Sequence, residues 1–226
     1  MCGRYLITSP PDVMRRFFGY VEQPNFPPRY NIAPTQPVPI VRRDGDARAF
    51  TLMRWGFLPG FVKDPKTFPL IINARAETAL DKPSFRNAFK RRRCVFPADG
   101  FYEWLRDGAK KRPFFIRRCD GAPLALAGLW ETWVGPNGEE LDTACILTVG
   151  ANGDMAGLHD RMPAMLEPAM IDPWLDCAAV EAAAAQALLR PAVDGALTLT
   201  EVNAAVNKAT NEGPHLHDPA VAATLV

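Results

Sequence analysis

At 226 residues, with 48% hydrophobic and 23% charged content, the chain has the size and balance of one soluble globular domain able to bury its own core. A formal net charge of +1 excludes a strongly basic nucleic-acid-coating protein and leaves local patches open. The five cysteines (Cys2, Cys94, Cys119, Cys145 and Cys177) are widely spaced with no CxxC pair, no secretory signal is visible, and no apolar run approaches the ~20 residues of a membrane span. A reducing cytoplasmic setting without a membrane is the simplest account, and no His/Cys spacing suits a metal.

Twenty-two prolines and sixteen glycines spread along the chain point to many short strands joined by turns. In chain order, strands are predicted over Arg4–Thr8, Val38–Arg43, Phe50–Trp55, Leu70–Ala74, Arg93–Phe96, Phe101–Leu105, Phe114–Arg118, Leu124–Trp130, Thr143–Val149 and Leu197–Glu201. Three helices are predicted between them. Pro11–Phe18 has Asp12 in its first turn, Ser84–Arg91 begins on a possible serine cap, and the alanine-rich Asp176–Leu189 stops at Arg190-Pro191. No linker or repeat divides the chain, so residues 1–226 are expected to form one strand-rich α+β domain, with the polar tail from about residue 210 prone to fray.

Four segments carry candidate chemistry. Met1-Cys2-Gly3-Arg4-Tyr5 places a cysteine one methionine excision from the N-terminus. A free N-terminal cysteine bears an amine and a thiol on adjacent carbons, with ordinary pKa values of about 7.7–8.0 and about 8.5. Such a pair can condense with an aldehyde, or the amine can act as base for the thiol. The plain alternative is a chance small residue after the start codon. Asn73, at the end of an apolar strand, is either a turn-former or an amide that orients an amine or carbonyl. Glu103 lies between Tyr102 and Trp104; strand alternation favours exposure, whereas a desolvated pocket would suit it to proton transfer. His159 is the one histidine outside the tail, fit either for proton transfer or for a structural hydrogen bond.

Arg4, Arg75 and Arg161 follow these segments closely, as guanidinium groups serving a phosphate-bearing substrate would. Basic runs over Arg86–Arg93 and Lys110–Arg118 are either a nucleic-acid face or solvated surface. Trp55, Phe57, Phe61 and Phe68 stand among basic residues, either as a base-stacking platform or in core packing, their commoner use.

Together the segments resemble the SOS-response-associated peptidase (SRAP) family, whose members protect abasic sites in DNA. Arg29-Tyr30-Asn31-Ile32-Ala33-Pro34-Thr35, Met53-Arg54-Trp55-Gly56, Asn73-Ala74-Arg75-Ala76-Glu77-Thr78, Leu129-Trp130-Glu131 and Val206-Asn207-Lys208 follow in the family's order. The resemblance implies a single domain around a curved, barrel-like β-structure with a cleft for single-stranded DNA. By the same resemblance, Cys2 is the covalent nucleophile once Met1 is removed, and Asn73 holds the N-terminal residue. Glu103 becomes the general acid/base, and His159 assists opening of the deoxyribose ring and reversal of the crosslink. Arg4, Arg75 and Arg161 contact phosphates, and Trp55 packs against the DNA end. The implied partner is single-stranded DNA with abasic sites, bound by a monomer with no cofactor; self-removal of Met1 and lyase-type activity are further implications. Two other readings compete: an N-terminal-nucleophile amidohydrolase, since glutamine amidotransferases also begin Met-Cys-Gly, and a non-catalytic single-strand binder.

Overall fold

The computed structural model describes residues 2–108 and 110–220. Strand β1 (Tyr5–Ile7) leads into helix α1 (Pro11–Phe18). The helix opens on Pro11, whose missing N–H has no partner to lose at that position, and ends at Gly19, where a φ of 69° lets the glycine N–H reach Arg15 O. Next come β2 (Arg29–Ile32), β3 (Pro37–Asp44), β4 (Ala47–Trp55), β5 (Asn73–Arg75) and helix α2 (Pro83–Arg91). A run of strands follows: β6 (Arg93–Ala98), β7 (Gly100–Asp107), β8 (Lys110–Arg118), β9 (Leu124–Val134) and β10 (Glu140–Gly150). The chain then forms β11 (Arg161–Pro163), β12 (Met165–Leu166), α3 (Pro168–Leu175), α4 (Ala182–Gln186) and β13 (Leu197–Glu201). Two single 3-10 turns, Ala204–Asn207 and Pro214–His217, complete it.

Pairing explains the architecture. β10 pairs with β4, β4 with β3, β3 with β6, β6 with β9, and β9 returns to β10, so five strands close into a barrel. Closure removes the exposed edges that an open sheet would leave. Against the barrel lies a second sheet in the order β13-β8-β7-β1-β2. Tyr5 of that sheet sets its ring edge-on to Trp55 (5.3 Å) and Phe96 (6.3 Å) of the barrel, which joins the two layers through one aromatic cluster. The strand-rich α+β expectation is met, including its barrel-like centre.

Three expectations need correction. The alanine-rich segment does not form one helix over Asp176–Leu189: α3 lies earlier, and only the short α4 falls within the segment. Arg93, buried in the core, donates to the carbonyls of Trp174 (2.6 Å), Asp176 (2.7 Å) and Val180 (2.8 Å). Those bonds tie down the turn between α3 and α4, where Asp176 O also accepts from Val180 N (3.1 Å) and the Asp176 carboxylate caps only a local turn at Ala178 and Ala179. Nor does Ser84 cap the second helix, which opens on Pro83 after Lys82. Up to residue 220 the tail is packed on the fold. Leu216 is fully buried, and His217 stacks on Phe115 at 4.5 Å between centroids; residues 221–226 lie outside the described residues.

Candidate functional site

Cys2 stands three residues before β1, whose pairing with β7 (Tyr5 opposite Phe101) draws the N-terminal segment alongside the strand that carries Glu103. Its side chain is fully buried. Burial first, then the Glu103 carboxylate, push the thiol up to about 12, so it is a neutral S–H. Asn73 is the first residue of β5, which runs parallel to β10 with Asn73 opposite Ile146. From there its Nδ2 donates to Cys2 O at 2.8 Å. The amide therefore grips the main chain of Cys2, while its Oδ1 is buried without a hydrogen bond.

Glu103 corrects the expectation of exposure: it is 6% exposed, and its Oε1 accepts from Trp104 N at 3.2 Å. On either side of it along β7, Tyr102 packs into a small core under the tail and Trp104 donates its indole N–H to Asn207 Oδ1. His159 precedes β11. Its Nδ1 lies 2.9 Å from Arg161 N, a donor, and 2.8 Å from Asp160 Oδ1, an acceptor.

Glu103 and His159 face one cleft of about 610 Å³, lined also by Arg4, Ile72, Trp104, Arg106, Lys111 and Asn207. Cys2 and Asn73 stand behind its wall. Arg4 donates through Nη1 to Asn31 Oδ1 (2.6 Å) and Val206 O (3.0 Å), so its cation is fixed by one strand and by the tail. Arg75 is exposed at the end of β5. Arg161 is already engaged: its guanidinium makes a two-pronged pair with Glu77 (2.8 and 2.9 Å) and donates to Thr148 O (2.5 Å). A phosphate reaches Arg161 only by competing with Glu77.

Trp55 does not meet the cleft. It is fully buried, packs on Tyr5, and donates Nε1 to Ile72 O at 3.0 Å, so the expected contact with a DNA end is corrected to a support beneath the cleft wall. Of the aromatic platform, Phe57 is buried and Phe61 is exposed. Met1, whose removal the sequence reading required, lies outside the described residues.

Sequence reasoning assigned no role to Asn31, Asn207 or Trp104. Asn31 is fully buried and donates Nδ2 to Val206 O, Lys208 O and Asn211 O at 3.0–3.3 Å. Its place between Tyr30 and Ile32 on a strand was the one available signal, because a polar side chain facing a core needs a partner.

The family described as SOS response associated peptidase (SRAP) matches residues 1–209. Abasic site processing protein YoqW of Bacillus subtilis is 36% identical over 220 residues, covering 96% of this chain and 98% of that protein. Abasic site processing protein HMCES of Gallus gallus is 32% identical over 258 residues, covering 95% of this chain and 76% of that one. A crystal structure of a Bacteroides thetaiotaomicron protein superimposes with a TM-score of 0.86 at 24% identity, covering 97% of this chain and all of that one, a likeness of fold.

Proposed function

The chain belongs to the SRAP family, and from that premise we propose that it traps abasic sites in single-stranded DNA as a covalent thiazolidine at Cys2. The observation that carries this reading is the convergence on one residue: Asn73 holds the Cys2 carbonyl, the Glu103 charge is felt at the Cys2 thiol, and Glu103 shares an open cleft with His159 and Arg4.

The chemistry starts with hydrolysis of the Met1–Cys2 bond, which frees the α-amine. That amine adds to the C1′ aldehyde of a ring-opened deoxyribose to give a carbinolamine. Loss of the former aldehyde oxygen as water leaves an imine. The thiol sulfur then bonds to the imine carbon and its proton passes to the nitrogen, closing the five-membered ring. Both nucleophiles belong to one residue, so ring closure is intramolecular and gains the effective concentration of a pre-oriented pair. Glu103 and His159, which line the same cleft, deliver and remove the protons of dehydration and ring opening in this reading. A thiol kept neutral suits the order of steps, because the amine adds first and the S–H carries the proton that closure returns to nitrogen. The arginines hold the backbone, and the trapped aldehyde is withdrawn from strand-cleaving elimination.

Intact mass of the purified protein, before and after incubation with an abasic single-stranded oligonucleotide, tests the reading. The expected product is the chain without Met1 plus the oligonucleotide, less one water. Cys2→Ala and Cys2→Ser both keep the α-amine once Met1 is removed but lack the thiol that closes the ring, so each leaves at most a labile imine and no stable adduct. A verified free Cys2 that forms no adduct overturns the proposal. Glutaminase activity with Cys2 free would replace it with the amidohydrolase reading.

A further inference from the structure

The turn Ala204–Asn207 brings into the cleft wall a side chain that the chemistry above leaves unused. Asn207 Oδ1 accepts from the indole Nε1 of Trp104 at 2.6 Å. An indole nitrogen only donates, so the amide cannot be reversed there: its oxygen must face Trp104 and its NH2 must face away. Among the described residues that NH2 donates to no acceptor, although the side chain lines the cleft.

The backbone beneath it is tied on both sides. Val206 O accepts from Arg4 Nη1 (3.0 Å) and Asn31 Nδ2 (3.3 Å), Lys208 O accepts from Asn31 Nδ2 (3.0 Å), and the Val206 side chain is fully buried. The Arg4 guanidinium carbon sits 5.7 Å from the Trp104 ring centroid, so a cation and an unused amide donor flank the same indole. A cation and an amide donor that line one cleft, each tied to the same indole, suit an anionic oxygen, and fixing them before binding lowers the ordering cost of the contact.

We propose that Asn207 is a DNA-contacting residue, donating its side-chain NH2 to a phosphate oxygen of the strand in the cleft beside Arg4. The inference rests on the abasic-site reading for the identity of that strand. A purely architectural role, in which Asn207 only locks the tail to Trp104, makes a different prediction. Asn207→Asp keeps the oxygen that Trp104 binds and removes the donor but also adds a negative charge, so the separation of the two roles rests on Asn207→Ala against single neutral linkages.

The experiment measures equilibrium binding of single-stranded DNA in which a tetrahydrofuran replaces the abasic sugar, a probe that binds without an aldehyde. Asn207→Asp is expected to weaken binding about tenfold with an unchanged melting temperature, and Asn207→Ala by about three- to tenfold. The deficit of Asn207→Ala persists as salt is raised, because a neutral hydrogen bond is not screened as a distant charge is. Replacing successive phosphates with neutral methylphosphonates locates the contact. At one linkage the wild-type protein loses affinity and Asn207→Ala loses no more, the signature of a shared interaction. Wild-type affinity in Asn207→Asp, or a deficit that no single neutral linkage removes, overturns the assignment. Failure of the wild-type protein to bind the tetrahydrofuran strand overturns both this inference and the abasic-site reading.

Discussion

At pH 8 the Cys2 thiol of the chain that retains Met1 is almost wholly protonated, because burial and the Glu103 carboxylate push it up to about 12. Alkylation needs the thiolate, so iodoacetamide should label Cys2 at least ~10³-fold more slowly than a cysteine in an open peptide. Glu103→Gln removes the second cause and should speed labelling several-fold at pH 9.5, read by peptide mass spectrometry. Labelling of wild-type Cys2 at the peptide rate would show that the thiol is neither buried nor neutral. Asn73 invites a different measurement. Its Nδ2 holds Cys2 O at 2.8 Å while Oδ1 is buried without a hydrogen bond, so alanine removes one bond and one desolvation cost together. Stability of Asn73→Ala should stay within about 1 kcal/mol of wild type in urea, whereas the rate of adduct formation should fall tenfold or more. A loss of stability matching the loss of rate would make Asn73 a structural residue. The sequence exposed the chemistry of these residues but not their surroundings. Alternation along a strand says that Glu103 and its neighbours face opposite ways, and it cannot say which face the N-terminal segment covers.

Elements show the same limit from another side. Alanine propensity over residues 176–189 is high, yet helix formation also needs an apolar face to bury and free carbonyls to accept the i+4 amides. Arg93, which reads in sequence as part of a basic run on a nucleic-acid face or on solvated surface, turns inward and donates to three carbonyls around that segment. Removing it leaves the Trp174 and Val180 oxygens without that donor in a largely buried site, while Asp176 O keeps the Val180 amide. Arg93→Ala should therefore cost about 3 kcal/mol or more, seen as a lower urea midpoint. An unchanged midpoint would mean water or a refolded 176–181 segment replaces the guanidinium. Gly128 is the opposite case, a position where nothing can be added. A Cβ there would lie 2.5 Å from the Phe96 ring and 2.9 Å from Cys145 O, between the two strands that β9 joins across the barrel. Gly128→Ala should destabilise by roughly 1–3 kcal/mol through overpacking. Most of the longer strands were legible because apolar alternation is local, whereas the short β2, β11 and β12 were not predicted. Barrel closure was not, since the pairing of β10 with both β4 and β9 is a long-range choice that periodicity does not encode.

Across the whole molecule, the tail and the N-terminus meet over one small core of Leu6, Tyr102, Val202, Val206 and Leu216, so the cleft is completed only when the chain's two ends come together. The sequence offered the tail motif Val206-Asn207-Lys208 without its partner, because nothing local links it to Asn31 or Arg4. The same compact core governs how stability responds to pH. Cys2, Cys94 and Cys145 are all fully buried, and burial is the first cause of the raised pKa of each. Tyr5 and Tyr102 are raised for the same first reason. For such groups the folded state holds its proton longer than the unfolded chain does. Their contribution to stability is complete below the unfolded thiol value of about 8.5 and is lost as pH rises toward the folded values. By pH 10 the three thiols alone should withdraw about 4–6 kcal/mol, a large share of a domain's stability. On the acid side, burial lowers His217, so the unfolded chain takes up that proton first and stability is lost as pH falls below about 6.5. Carboxylates held low by their partners, Asp172 by Arg48 and Glu77 by Arg161, add a second loss as pH falls below about 4. The expected curve of urea midpoint against pH is a plateau between about 6.5 and 8.5, with the steeper fall on the alkaline side. Cys145→Ala should start from a lower plateau, because a buried side chain is truncated, yet descend less steeply above pH 9, because one thiol no longer ionises on unfolding. A wild-type midpoint that holds level to pH 10 would show that these thiols are not shielded from water in the folded protein.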